Sequence, residues 1–228
     1  MLLGDGERWL LVLDAFLDEA GTNKQCPCVT VAGFYGNRDQ WKIFRDLWRP
    51  RSEGFHALRH EDRFPDLCSA IEASRINGIW VTLWKKDYEQ FATEHMKSFM
   101  GNPYAICAFM CVMEICGRVK LPIAIVLEQG QPNLPFVRGI LESMMDAGEL
   151  CISSVTPAMK KDFIELHPAD FASHCGSTYD KPPLQRLMDA GRLLHGHVTK
   201  DMLKDIAPQL TAMVKKARYE RLKAKRGR

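Results

Sequence analysis

Three acidic segments, far apart in the chain, carry the residues best suited to chemistry. They are DAFLDEAG (Asp14 to Gly21), IAIVLEQGQ (Ile123 to Gln131) and IELHPADFASH (Ile164 to His174). In the first two, Asp18-Glu19 and Glu128 close an apolar run with the composition of a β-strand. In the third, Asp170 follows Pro168 at the expected start of a helix. Two strand ends and one helix start can converge in space although the sequence separates them. Clustered carboxylates repel one another and resist ionising together, so hard cations are their natural partners. The chemistry this predicts is magnesium-dependent phosphoryl transfer. Taken singly, each acid also has an ordinary reading: a turn opener at Asp18-Glu19, a solvated strand end at Glu128, a helix-dipole partner at Asp170. Glu128 fits that reading least, because it directly follows five apolar residues.

The elements that must position these acids follow from periodicity. Leu10 to Asp18 reads as a strand, and Ala20-Gly21-Thr22-Asn23 as a turn into a second strand, Cys28 to Tyr35. Asp39 is the expected cap of a helix carrying Trp41, Phe44, Leu47 and Trp48, which Pro50 ends. A helix over Phe64 to Ile76 leads to a third strand, Ile79 to Trp84. Helical pattern covers Tyr88 to Met100 and then Tyr104 to Val119, the latter apolar on most sides. Ile123 to Glu128 is a buried fourth strand, Pro135 to Ala147 a helix, and Cys151 to Val155 a short fifth strand. Helices are expected over Pro168 to Cys175, Leu184 to Leu194 and Lys200 to Ala224. His195 and His197, either side of Gly196, read as a polar stop. Strands alternating with helices predict an α/β fold whose mixed five-stranded sheet is covered on both faces, with the first strand central. Residues 1–198 would form this domain, and residues 199–228 a C-terminal helix with a basic tail.

Composition narrows the functional classes. The chain has 228 residues, 46% hydrophobic and 26% charged, and a net charge of +3. Lys215 to Arg228 contributes eight cations and one Glu, so the rest of the chain is net −4. An acidic body with a basic arm suits nucleic acid better than a small anion. The longest nearly apolar stretch, Ala105 to Cys116, is short and includes Glu114, which argues against a transmembrane helix and a membrane partner. Asp5 and Glu7 close behind Met1 argue against a secretory leader, so a cytoplasmic location is expected. The eight cysteines sit mostly in apolar patterns and are expected to be free thiols. No GxSxG elbow, HExxH helix or phosphate loop occurs.

The strand-terminal Asp18-Glu19 followed by a small residue and Gly21, the VLEQGQ strand end and the late IELHPADFASH segment, with its Ala169-Asp170 pair, resemble the "domain of unknown function 3800" family over about Leu13 to His174. That group occurs in bacteria, phages and mobile elements and is thought to adopt a ribonuclease H-like fold. The resemblance implies a metal-dependent nuclease using two Mg²⁺ or Mn²⁺ ions, which two-metal enzymes hold roughly 3.5–4 Å apart. By the same resemblance Asp18 would bridge both ions and Glu128 and Asp170 would each hold one side. Glu19 would fix the geometry, and His56, in GFHALRHED, would position a phosphate or shuttle a proton. Lys160 and Lys161, shortly before Asp170, are candidates to face a phosphate, with Lys161 as the catalytic choice. Three functions stay compatible with these residues: a nuclease on RNA or DNA, a catalytically degenerate nucleic-acid-binding or interaction protein, and a small-molecule phosphohydrolase.

Overall fold

The computed structural model describes residues 12–94, 97, 101–130, 133–178 and 181–204, with positions 212, 215, 216 and 219. The expected helix over Lys200 to Ala224 is described only at residues 200–204, 212, 215, 216 and 219, and the basic tail lies almost entirely outside the described residues. Six strands form one mixed sheet: β1 (Leu13–Ala20), β2 (Cys28–Gly36), β3 (Asn77–Trp84), β4 (Ile123–Glu128), β5 (Ile152–Ala158) and β6 (Leu193–His197), in the order β5-β4-β1-β2-β3-β6. β1-β2 and β2-β3 are antiparallel, whereas β4, β5 and β6 join in parallel. The fold class is therefore α/β, with β1 interior as expected and one strand more than the sequence pattern predicts.

The β1–β2 hairpin depends on Gly21, whose φ is +78 and whose Cβ, were it present, would stand 2.2 Å from the carbonyl oxygen of Cys28. Asn23 Oδ1 then accepts hydrogen bonds from the backbone N–H groups of Gln25 and Cys26. β4 returns beside β1 with Leu17 opposite Leu127, so Asp18 and Glu128 occupy the next rung of the same pair of parallel strands. Register alone brings the first two acids together.

Helices cover both faces. α4 (Pro103–Val119) and α5 (Leu134–Asp146) lie over one face, where Ala15, Leu17, Val29 and Val31 meet Ile106, Val112 and Val137. Asn102 caps α4 by accepting from the Ala105 N–H, and the helix is buried around most of its circumference, as its apolar pattern predicts. On the other face Phe16, Ala32 and Phe34 pack with α1 (Arg38–Trp48), α2 (Phe64–Ser74) and α6 (His167–Thr178). α3 (Lys85–Phe91) follows β3, and α7 (Lys181–Asp189) precedes β6. Gly176 lets α6 approach the sheet, since a Cβ there would lie 2.3 Å from the Trp80 ring. That contact sets the height of the helix that carries Asp170.

Four local expectations change. The cap of α1 is Asn37, not Asp39: Asn37 and Gln40 exchange side-chain hydrogen bonds with each other's backbone N–H in a capping box. Leu47, expected on the buried stripe, is 43% exposed. The last part of the expected Leu184 to Leu194 helix and the His195–His197 stop instead form β6, because Gly191 at φ +66 breaks the chain after α7 and β3 still has an open edge. Only Leu193 of β6 is buried, so the strand lacks the alternation that marks strands in sequence. The expected Tyr88 to Met100 helix is broken, since the helix from Lys85 ends at Phe91 and Ala92 is extended. Elsewhere strands and helices agree with expectation to within a few residues at their ends, residues 95–96 and 98–100 lying outside the described residues. Cys26, Cys68, Cys107, Cys111, Cys116 and Cys151 are free thiols; Cys151 is exposed and Cys26 half-buried. Among the described residues no helix is long and apolar enough to cross a membrane.

Candidate metal centre

Asp18, Glu128 and Asp170 meet around a single point at the end of β1 and β4. That point is the ammonium of Lys160, which follows β5. Its Nζ lies 2.9 Å from Asp18 Oδ2, 3.2 Å from Glu128 Oε1 and 2.9 Å from Asp170 Oδ1. The remaining oxygens of the two aspartates are held by backbone: the Glu19 N–H donates to Asp18 Oδ1 at 2.7 Å, and the Ala57 N–H donates to Asp170 Oδ2 at 2.8 Å. Each aspartate thus presents one anchored oxygen and one aimed at the common centre. Asp18 and Asp170 are buried, whereas Glu128 is partly open to solvent.

Strand alternation sends Glu19 toward the α4 face, opposite to Asp18. There it is buried and hydrogen-bonded by the Tyr104 hydroxyl, while its Oε1 has no hydrogen-bond partner among the described residues. Asp18, Glu19 and Glu128 nevertheless each offer an oxygen within 4.8 Å of the others, because all three stand at the same sheet edge.

The electrostatics match this crowding. Burial, followed by the hydrogen bond to Glu128 and the charges of Glu19 and Asp170, holds the Asp18 carboxyl well above the usual range despite the opposing charge of Lys160. Burial and the Glu128 charge push Glu19 up to about 8, against the pull of Lys160. Burial disfavours the charged form of Lys160, but Asp18, Asp170 and Glu128 outweigh it and raise its pKa. Tyr104 is also raised, by burial and by Glu19 beside it. One cation faces four carboxylates. The donor set is all oxygen and acidic, and two buried carboxylate oxygens, Asp18 Oδ2 and Glu19 Oε1, lack a hydrogen bond among the described residues, which is the character of a site for hard divalent ions.

A supporting layer holds Lys160 in place. Trp48 Nε1 donates to His167 Nδ1 at 2.9 Å, which makes Nδ1 an acceptor and leaves the ring proton on Nε2, bonded to the Lys160 backbone. Burial lowers the His167 pKa to about 4, so the ring is neutral at ordinary pH. The Phe55 ring packs at 5.0 Å from it. Arg45 of α1 pairs with Glu165 at 2.7 Å, tying that helix to the turn before Asp170. Sequence reasoning singled out neither Trp48 nor His167 as parts of the site. Trp48 reads only as a core position, and no local signal links it to a residue 119 positions away.

The other candidates lie farther out. His56 and Lys161 stand on the wall of a groove of about 530 Å³, with Arg59, Lys160 and Glu128. The lysine among the carboxylates is thus Lys160, and its neighbour Lys161 faces the groove. His56 contributes through its position, because the next residue, Ala57, supplies the N–H that anchors Asp170. His174 shares the helix of Asp170 but lies 3.5 Å from Glu61 and contacts the Phe64 ring, away from the carboxylates.

No family model matches the chain, and no curated protein matches it. Among solved structures, the PCNA:RNase HII complex from Archaeoglobus fulgidus gives a match at 17% identity and a TM-score of 0.48, covering 79% of this chain and 90% of that one. Bst-RNase HIII in complex with Mn²⁺ matches at 13% identity and 0.49, over 80% of this chain and 57% of that one. Ribonuclease H2 from Pyrococcus horikoshii OT3 matches at 14% identity and 0.46, over 78% and 77%. Likenesses at this level assign no activity. The α/β class stands on the strand order itself.

Proposed function

We propose that this chain is a divalent-metal-dependent nuclease of the "domain of unknown function 3800" type, hydrolysing nucleic-acid phosphodiester bonds at the Asp18–Glu128–Asp170 centre. The observation that carries the reading is the convergence of these three carboxylates on one cation position, with Glu19 Oε1 buried and without a hydrogen bond beside them. Asp18, Glu128 and Asp170 would hold two Mg²⁺ or Mn²⁺ ions, with Glu19 behind them. Bound there, such ions would activate water and neutralise charge on the phosphate. The chain's own residues supply orientation. The Glu19 and Ala57 N–H groups fix the two aspartates, and the more open Glu128 borders the groove. His56, Arg59 and Lys161 line the groove and would meet phosphate oxygens along a strand. The basic tail, Lys215 to Arg228, would add affinity without sequence preference. A cytoplasmic location belongs to the same proposal, since buried free thiols suit a reducing compartment.

One observation favours a second reading. Lys160 already neutralises part of the cluster, as it would in a degenerate site that binds nucleic acid without cutting it. Incubating the protein with labelled single- and double-stranded DNA and RNA and with hybrids, under Mg²⁺, Mn²⁺ or EDTA, separates the two. Cleavage that needs metal and disappears in Asp18→Asn is expected. Binding without cleavage under every condition would leave the degenerate reading. Hydrolysis of small phosphate esters alone would move the assignment to a phosphohydrolase.

A further inference from the structure

We propose that Lys160 is an exchangeable internal cation: its ammonium holds the carboxylates together until divalent ions enter, and those ions displace it into the groove. The proposal rests on the metal-site reading above and goes beyond it by assigning the lysine its role. An ammonium has three N–H donors, and here three different carboxylates lie within 3.2 Å of Lys160 Nζ. The oxygens it occupies on Asp18 and Asp170 are the ones not tied to backbone N–H groups, so they are the same oxygens a metal would need. A divalent ion and an ammonium competing for those oxygens would also repel each other across a buried site of low effective dielectric. The lysine supplies a single positive charge, and Glu19 Oε1 still lacks a hydrogen-bond partner. The site therefore has more anionic demand than Lys160 satisfies.

The surroundings provide somewhere for the side chain to go. Its backbone is pinned through His167 and Trp48, so the stem pivots about a fixed point. The side chain borders the groove that Lys161, Arg59 and His56 also line. A flexible four-carbon stem can make that move where a rigid guanidinium fork would hold its carboxylates. Once displaced, the ammonium joins the groups available to a substrate phosphate, and metal entry and phosphate capture become linked.

The test is direct titration of Mn²⁺ and Mg²⁺ into the full chain, by calorimetry and by thermal shift, for the wild type, Lys160→Met and Lys160→Arg. Removing the competing cation should tighten Mn²⁺ binding about tenfold or more in Lys160→Met, and the clamped guanidinium of Lys160→Arg should weaken it. Without metal, Lys160→Met should melt below the wild type, and saturating Mn²⁺ should close most of that gap. Binding by Lys160→Met where the wild type shows none would also support exchange. Should Lys160→Met fail to fold without metal, Lys160→Arg against wild type carries the comparison. Equal affinities across the proteins that fold, or weaker binding by Lys160→Met, would overturn the exchange while leaving the metal centre standing. No metal binding by any of them would bring down both, and with them the nuclease reading.

Discussion

Charged side chains join elements in two regions of this molecule, on opposite terms. Between α2 and α7, Arg186 grips Glu72 through two hydrogen bonds of 2.8 Å, one cation to one anion, with side chains 42% and 30% exposed. At the end of β1, one largely enclosed ammonium, 16% exposed, faces three carboxylates directly and a fourth at their edge. The first region is balanced and solvated, as expected of a pair that only steadies a surface contact. The second is neither. A buried excess of one sign is costly to maintain unless a group of the other sign offsets it.

The difference between the regions can be broken at several points. The largest effect is expected at the carboxylates. Asp18→Asn or Asp170→Asn should abolish the rise in Tm that Mg²⁺ or Mn²⁺ produces in the wild type, and should lower cleavage on the order of 10³-fold. Without metal the same variants should be no less stable than the wild type in denaturant titrations, because each removes one charge from an over-acidic cluster. A metal-induced shift that survives in both variants would place the ions elsewhere.

Next comes Lys160→Met in EDTA, expected to cost about 3 kcal/mol in urea unfolding, since it leaves buried acids uncompensated. Arg186→Ala, which breaks the balanced pair, should cost no more than about 1 kcal/mol, because water replaces the lost partner. Equal costs for the two would erase the distinction between the regions.

The pH dependence offers a finer probe. Glu19 is raised from 4.5 to about 8, so the folded state keeps a proton that the unfolded state loses, and stability falls as pH rises through that window. His167 works the other way. Its pKa is lowered from 6.5 to about 4, so the unfolded state binds the extra proton and stability rises with pH between those values. The two slopes oppose each other below 6.5, and above it that of Glu19 acts without the His167 contribution. Metal-free Tm should therefore decline between about pH 6.5 and 8, and Glu19→Gln should flatten that decline. Saturating Mn²⁺ should flatten it as well, and a decline unchanged by either would show that Glu19 does not face the cluster.

The smallest effect is expected at Trp48→Phe. It keeps most of the core volume but leaves His167 Nδ1 without its donor, which frees the ring and loosens the Lys160 backbone. Because that lysine competes with the metal, its loosening should tighten Mn²⁺ binding by only about threefold, with Tm falling slightly. A large fall in Tm with unchanged affinity would make Trp48 a packing residue and nothing more.

Much of the site was legible in the chain. Acids at the ends of apolar runs mark strand termini, and two adjacent parallel strands that end in acids bring them to the same edge by register alone. Asp18 and Glu128 follow from that pattern, and Asp170 from its place in the first turn of a helix. The lysine was legible only as a pair. Nothing in Lys160-Lys161 says which side chain turns inward, because both lie in a loop without periodicity. That choice was made by His167, whose ring holds the Lys160 backbone, and by Trp48, more than a hundred residues earlier.

By itself, then, the sequence determined the local elements and their polarity. Hydrophobic periodicity is a short-range property, and it sets which residues become strands, which face a helix buries and where acids interrupt an apolar run. Tertiary structure alone decided β6, the choice of Lys160 over Lys161, and the anchoring of Asp170 by the Ala57 N–H. Each of these depends on a partner brought from elsewhere or on geometry that periodicity does not record. An open edge on β3 can recruit a strand with little alternation, and a backbone N–H carries no side-chain identity to read. The balance of one ammonium against four carboxylates is of the same kind, since electrostatic energy depends on distances and burial that exist only once the chain has folded.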